Sequence, residues 1–239
     1  MKWIYSILFL ILGVVYADEV EKVEPSAIQQ FLQQRCYKYA KEGDAYDQLV
    51  GLSFDFYKYA EYTATFLPDH IDHFCKNERP ILKLKLKDVN KQMLKCLASD
   101  EKFLPQFVQD TFHYFMEFLC ANEGSSVRTF FSTHGKECRG SLSRQNATDE
   151  VGACFSRVFL TVNDKGFMTK DAICSDVGFV NGCFSGILDK YCPDFAAFKE
   201  LNKRFFTYVN KPCSGCIFGV NNMVTFLCVL AALFYKKLF

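Results

Sequence analysis

Pro105 to Gly124 reads PQFVQDTFHYFMEFLCANEG, and this stretch decides the fold class. Proline is tolerated in the first turn of a helix, where its missing N–H would have no partner. Val108, Phe112, Phe115, Met116 and Leu119 then recur at three- and four-residue spacing, the period of one helix face. Gly124 supplies the stop, because glycine takes the left-handed conformation that ends helices. A cysteine, Cys120, stands at the end of this helix. A helix with a half-cystine at its end is the unit from which the rest of the chain is read.

The same period recurs on both sides. Ser26-Ala27-Ile28-Gln29 forms a capping box, followed by Ile28, Phe31, Leu32 and Arg35-Cys36 at helical spacing. A second helix is predicted over Asp44 to Phe66, stopped by Leu67-Pro68. A third starts at Pro80 and carries Leu82, Leu86, Val89, Met93 and Cys96 on one side. Its opening Leu82-Lys83-Leu84-Lys85-Leu86 alternates as a strand would, but the longer pattern favours helix. Shorter helices are predicted over Val127–Thr133, Asp149–Leu160 and Asp176–Lys190. A last one starts at Pro193, with Phe195, Phe198, Leu201 and Phe205 facing inward. Arg139 to Glu150 is polar and reads as a surface loop, and Thr161–Lys170 with Gly166 as the best internal break. His73–Glu78 and Phe118–Glu123 echo each other, each closing a predicted helix; chance in a cysteine-rich chain is the favoured account and a repeated helix–bridge–helix unit the alternative.

The 239 residues include 12 cysteines, 28 Lys+Arg and 27 Asp+Glu. Residues 1–17 read as a cleavable secretory signal: Lys2, an apolar run from Trp3 to Tyr16, and small residues before Asp18. Ten cysteines lie in the 18–215 body: Cys36, Cys75, Cys96, Cys120, Cys138, Cys154, Cys174, Cys183, Cys192 and Cys213. An even number in an exported chain implies bridges. Spacing leaves the pairing open among about 945 arrangements. No two-plus-two set of close cysteine or histidine pairs suits zinc. Asn146-Ala147-Thr148 is an acceptor for N-linked glycan. The body carries slightly more acid than base, which excludes a phosphate-tracking nucleic-acid binder.

Residues 216–239 form a hydrophobic tail, almost wholly apolar from Met223 to Tyr235 and ending in Lys236-Lys237. Small residues, a spacer and an apolar stretch are the parts of a glycolipid-anchor signal, with Ser214 or Gly215 as the attachment residue. Cutting there removes Cys216 and Cys228 together and leaves the even set. A single-pass membrane helix is the alternative reading. Either way the membrane is a partner, and the expected location is the cell surface, with a soluble secreted form as a further outcome.

Candidate chemistry is sparse. Asp69-His70-Ile71-Asp72-His73 is the densest cluster of metal-ligand types, and on a helix His70 and His73 would lie one turn apart. The competing reading is a solvated helix start, with acids favouring the N-terminal dipole. His113 and His134 have no serine or cysteine nucleophile at informative spacing. Gly182-Cys183-Phe184-Ser185-Gly186 is one position off the nucleophile-elbow pattern. Catalytic, metal and cofactor assignments are therefore none. The 26 Phe and 12 Tyr suit either a packed core or a cavity for an apolar ligand.

From Phe118 onwards the chain resembles the insect twenty-seven-kilodalton haemolymph glycoproteins. The carrying residues are Phe118-Leu119-Cys120, Glu123-Gly124, Phe130-Phe131 before Gly135, Glu137-Cys138, Cys154, Cys174-Ser175-Asp176, Cys183, Cys192-Pro193 and Lys211-Pro212-Cys213. Before that, Phe74-Cys75 with Arg79-Pro80, and Cys96-Leu97, are the better points. The resemblance implies a secreted, glycosylated, disulfide-bonded helical protein of an insect, with no assigned catalytic residues. Two features depart from it. The family pattern has an additional cysteine in the helix after Arg79-Pro80, and the hydrophobic tail is foreign to a soluble blood protein.

The expectation is thus an all-α, disulfide-stabilised multi-helix domain, tethered to the cell surface and binding an unidentified protein partner without catalysis. The alternatives are a carrier of a hydrophobic small molecule or lipid, and a hydrolase or metal enzyme working through His70 or His73.

Overall fold

In the computed structural model, residues 27–155, 161 and 166–214 are described. The predicted signal sequence over 1–17, Ser26 of the predicted capping box and the 216–239 tail lie outside them. The helices are α1 (Ala27–Tyr39), α2 (Ala45–Ala64), α3 (Arg79–Cys96), α4 (Leu104–Cys120), α5 (Ser125–Phe131), α6 (Thr133–Leu142), α7 (Gln145–Phe155), α8 (Lys170–Tyr191) and α9 (Ala196–Val209). There is no strand among the described residues.

α4 is the centre. α3 lies between α2 and α4, and α9 packs on α4 from another side. The α4 stripe read from sequence is buried, and so are Phe107, Thr111 and Phe118 outside it. A helix apolar around most of its girth belongs inside. Its rings meet partners in two directions. Phe112 meets Phe56 of α2 at 5.7 Å, and Phe118 meets Phe205 and Tyr208 of α9 at 5.3 and 5.9 Å. The one buried hydroxyl on this helix, Thr111, donates to the Phe107 carbonyl at 2.8 Å. Each buried phenylalanine contributes about 1.5–3 kcal/mol by leaving water.

Several boundaries differ from the sequence reading. Arg139–Glu150 is helical apart from a bend at Ser143-Arg144, so Asn146 stands exposed in the first turn of α7 and not in a loop. Ser132 makes this possible: it caps α6 by accepting from the Gly135 backbone N–H. Gly135 itself is required by a close approach, since a Cβ there would sit 2.2 Å from the Phe130 carbonyl oxygen. α8 starts six residues earlier than predicted because the Thr169 hydroxyl accepts from the Ala172 N–H. The Leu82–Leu86 alternation lies within helix α3.

The echoed segments are not equivalent. Ile71–His73 and the π-helical turn Phe74–Glu78 run directly into α3, so the first segment opens a helix. The second closes α4 through Asn122, Glu123 and Gly124, three consecutive residues with positive φ of 49°, 56° and 76°. A Cβ on Gly124 would meet Ile71 Cγ1 at 2.4 Å, so glycine is needed for space as well as for φ. The two echoed cysteines are bonded to each other, not one within each unit.

All ten body cysteines pair. Cys36–Cys96 ties α1 to α3, and Cys75–Cys120 ties the π turn to the end of α4. Cys138–Cys192 joins α6 to the end of α8, Cys154–Cys183 joins α7 to α8, and Cys174–Cys213 joins α8 to the turn after α9. No bridge passes from the first four cysteines to the last six. The two parts meet through the aromatic seam of α4 and α9 and through a buried ion pair of the first part, Arg35–Glu101, which bonds to the backbone of Gly166 and Met168 in the second. Glu101, fully buried, accepts from Arg35 Nη2 at 2.9 Å and from the Met168 N–H at 3.0 Å. Arg35 also donates to the Gly166 carbonyl and lies over the rings of Phe31 and Phe167.

Candidate functional site

The acidic–histidine cluster lines an open groove of about 670 Å³, with Asp69, His70, Asp72 and His73 on one bank and Arg128 and Ser132 on the other. Its histidines do not converge. His70 precedes the helical turn, with φ −123°, while His73 lies within it. The Asn77 side-chain amide donates to His73 Nδ1 at 2.8 Å, so Nε2 carries the proton and donates to Glu78 at 2.9 Å. Glu78 also accepts from the Tyr59 hydroxyl. Burial, then that hydrogen bond to a carboxylate, push the Tyr59 phenol up to about 12. Both His73 nitrogens are thus spent on the π turn itself, which Glu78 ties to α2 through Tyr59. Among the described residues no three His, Cys, Asp or Glu side chains are grouped to hold a metal ion.

His113 belongs to a second chain of contacts, along α3 and α4. Lys83 Nζ donates to its Nδ1 at 2.6 Å, and its Nε2 lies 3.2 Å from Glu117. Burial and then the neighbouring Lys83 charge lower the His113 pKa, while burial and then Arg79 lower that of Lys83. His134 is exposed on α6, 3.4 Å from Glu137. Arg139 stacks on Phe130 and Phe131, 4.3 and 5.4 Å from their ring centroids, and burial takes its pKa down to about 10.

The nucleophile-elbow lookalike lies in the middle of α8. Cys183 is bridged, and Ser185 accepts from the Asn202 side-chain amide at 3.3 Å. Here the structure assembles something that the sequence reading did not single out. Asn181, Ser185 and Asp189 of α8 face Lys199, Asn202 and Lys203 of α9 across a cleft of about 360 Å³, closed at one end by Asn210. Asn202 Oδ1 and Asn210 Oδ1 are buried and accept no hydrogen bond. Asp189 and Lys199 pair at 2.7 Å on the rim. The available signal was asparagine inside helical patterns, where it is a weak helix former.

Ser214 lies exposed at the end of the described chain, one residue after Cys213 is bonded to Cys174. An attachment there would therefore sit directly against the cross-linked body. Among the described residues no helix is long and apolar enough to cross a membrane.

The class defined by this architecture is a disulfide-cross-linked, all-helical domain with polar clefts between its helices. Residues 22–215 match the model of a family described as proteins of unknown function, DUF1397, and the chain belongs to that family. No curated protein and no solved structure matches it.

Proposed function

We propose that the protein is a non-enzymatic extracellular glycoprotein that acts as a binding module, held at the cell surface through its C-terminal tail and akin to the insect haemolymph glycoproteins. The observation that carries this reading is the pairing of all ten body cysteines within one helical body. Such cross-linking suits an oxidising compartment and leaves no body thiolate for catalysis. The exposed sequon at Asn146 and the exposed Ser214 fit the same exterior. Where hydrolases set a base beside a nucleophile, Ser185 has asparagines as its hydrogen-bond partners.

The test is expression of the full chain in a secretory host, followed by alkylation without reduction under denaturing conditions. The body cysteines should remain unlabelled, and a phosphoinositide-specific phospholipase should release the protein from the cells. Labelling of most of those sulfurs would overturn the extracellular reading. Retention after the lipase, with resistance to carbonate extraction, would replace the lipid anchor by a spanning helix.

A further inference from the structure

The α8–α9 cleft is lined by two asparagines whose side-chain oxygens are buried without a partner. The Asn202 amide donates to Ser185 Oγ at 3.3 Å, and the Ser185 hydroxyl points on to Asn181 Oδ1 at 3.5 Å. That chain uses one amide hydrogen of Asn202 and the hydroxyl hydrogen of Ser185. Left over are two carbonyl oxygens, on Asn202 and Asn210, whose residues both line the cleft. Asn202 is only 8% exposed, so its unmet acceptor lies inside the protein, where such groups almost always have partners. On the rim, Lys203 has no ion-pair partner among the described residues, whereas Lys199 is held by Asp189.

A guest must therefore donate to the two oxygens and accept from an ammonium group. Ionised carboxylates and phosphodiesters only accept, and would face the asparagine oxygens without a proton to offer, while inorganic phosphate keeps a P–OH but brings more negative charge than one unpaired lysine offsets. Cations would donate, but they meet two lysines against one aspartate. A hydroxyl does both at once, and several hydroxyls on one rigid ring would satisfy both oxygens together. The cleft volume is within the range of roughly 300–1,000 Å³ usual for small-molecule sites. Reaching the two oxygens asks for rotation about the last side-chain torsion of each asparagine, which is soft, and for Asn202 that rotation exchanges its long bond to Ser185 for the bond from the guest. We infer that the α8–α9 cleft is a saccharide-binding site, in which pyranose hydroxyls donate to Asn202 and Asn210 Oδ1 and accept from Lys203 Nζ.

This inference deepens the binding-module reading and rests on it, so the five bridges are first verified by mass spectrometry of the non-reduced protein. The full chain, in a detergent without a sugar headgroup, is then titrated calorimetrically with methyl α-mannoside, methyl α-glucoside and N-acetylglucosamine, with choline and inorganic phosphate as controls. At least one pyranose should bind, with neither control competing. Asn202→Leu and Asn210→Leu should each weaken binding at least tenfold and Lys203→Gln several-fold, while Asn202→Asp, which keeps an acceptor oxygen, should stay near wild type. Arg128→Gln, in the other groove, should change nothing. On the wild-type chain, the Asn202 side-chain amide resonances should shift on addition of the bound sugar, a readout that needs no variant to fold. Intact bridges with no binding across the sugar panel, or unchanged affinity in a correctly bridged Asn202→Leu protein, would overturn the saccharide site and leave the extracellular reading standing. Free sulfurs would instead strike the binding-module reading beneath it.

Discussion

The first four cysteines and the last six build two differently made halves. Before Cys120 the body rests on long helices: α2, α3 and α4 have 20, 18 and 17 residues and bury extensive apolar faces on one another. Two bridges, spanning 60 and 45 residues, suffice there. After Cys120 the 22-residue α8 and the 14-residue α9 are accompanied by α5, α6 and α7, of only 7, 10 and 11 residues. Helices of that length are marginal without tertiary support, and this half holds three bridges, spanning 54, 29 and 39 residues. A loop of such size gives about 4 kcal/mol per bridge in the chain-entropy account, with overlapping loops contributing less than additively. Cross-links are denser where helix-on-helix packing is thinner. Among the described residues there is no covalent tie between the halves except the backbone.

The sharpest way to break this comparison is to cut the backbone. A protease site placed between Cys120 and Cys138 should yield two fragments that separate on a denaturing gel without reductant. A site between Cys75 and Cys96 should yield fragments that stay linked until reduced. One intact adduct in the first case would refute the segregation.

The non-covalent seam comes next in size. Arg35→Ala strands the buried Glu101 carboxylate and should cost about 3–5 kcal/mol, as loss of one partner of a buried pair does. Hydrogen exchange should show the Met168 amide deprotected. Phe205→Ala removes the one ring that faces both Phe115 and Phe118 and should cost about 3–5 kcal/mol in denaturant titration. If Arg35→Ala left the amides after residue 161 unaffected, the ion pair would not couple the halves.

Gly124→Ala should destabilise by about 1–3 kcal/mol, since the added methyl meets Ile71. Its effect should fall first on the α4–α5 joint, read as early cleavage near Glu123. The smallest effect is a pH dependence confined to the first half. His113 has a lowered pKa in the folded protein, so the unfolded chain binds more protons near and below pH 6.5. Its contribution to stability is present above that range and lost as pH falls through it. A Tm comparison at pH 7.5 and 5.5 should show a smaller drop for His113→Gln than for the parent.

How much of this was legible depends on the residue. The stripe from Val108 to Leu119 announced α4, because a single apolar face repeats there at 3.6 residues. It did not announce that Phe107 and Phe118 are buried too, since which faces of a helix are covered is decided by neighbours distant in sequence. α6 was read partly as loop because its helix is set by one serine cap and a close approach at Gly135, neither of which makes a periodic signal. The cysteine total announced bridges; the partners are fixed only by three-dimensional proximity. The α8–α9 cleft was least visible of all, being the meeting of two polar helix edges about twenty residues apart.

The partition of the sulfurs also bears on how the chain is made. Synthesis runs from the amino terminus, so Cys36, Cys75, Cys96 and Cys120 emerge before any of the other six. On the proposed extracellular reading, a nascent chain that oxidises as it appears can finish the first set while the second is still within the ribosome or the translocation channel. Four cysteines allow three pairings and six allow fifteen, so sequential closure leaves on the order of 45 arrangements where simultaneous oxidation offers about 945. The order of emergence thus narrows the search for native bridges before any isomerase acts.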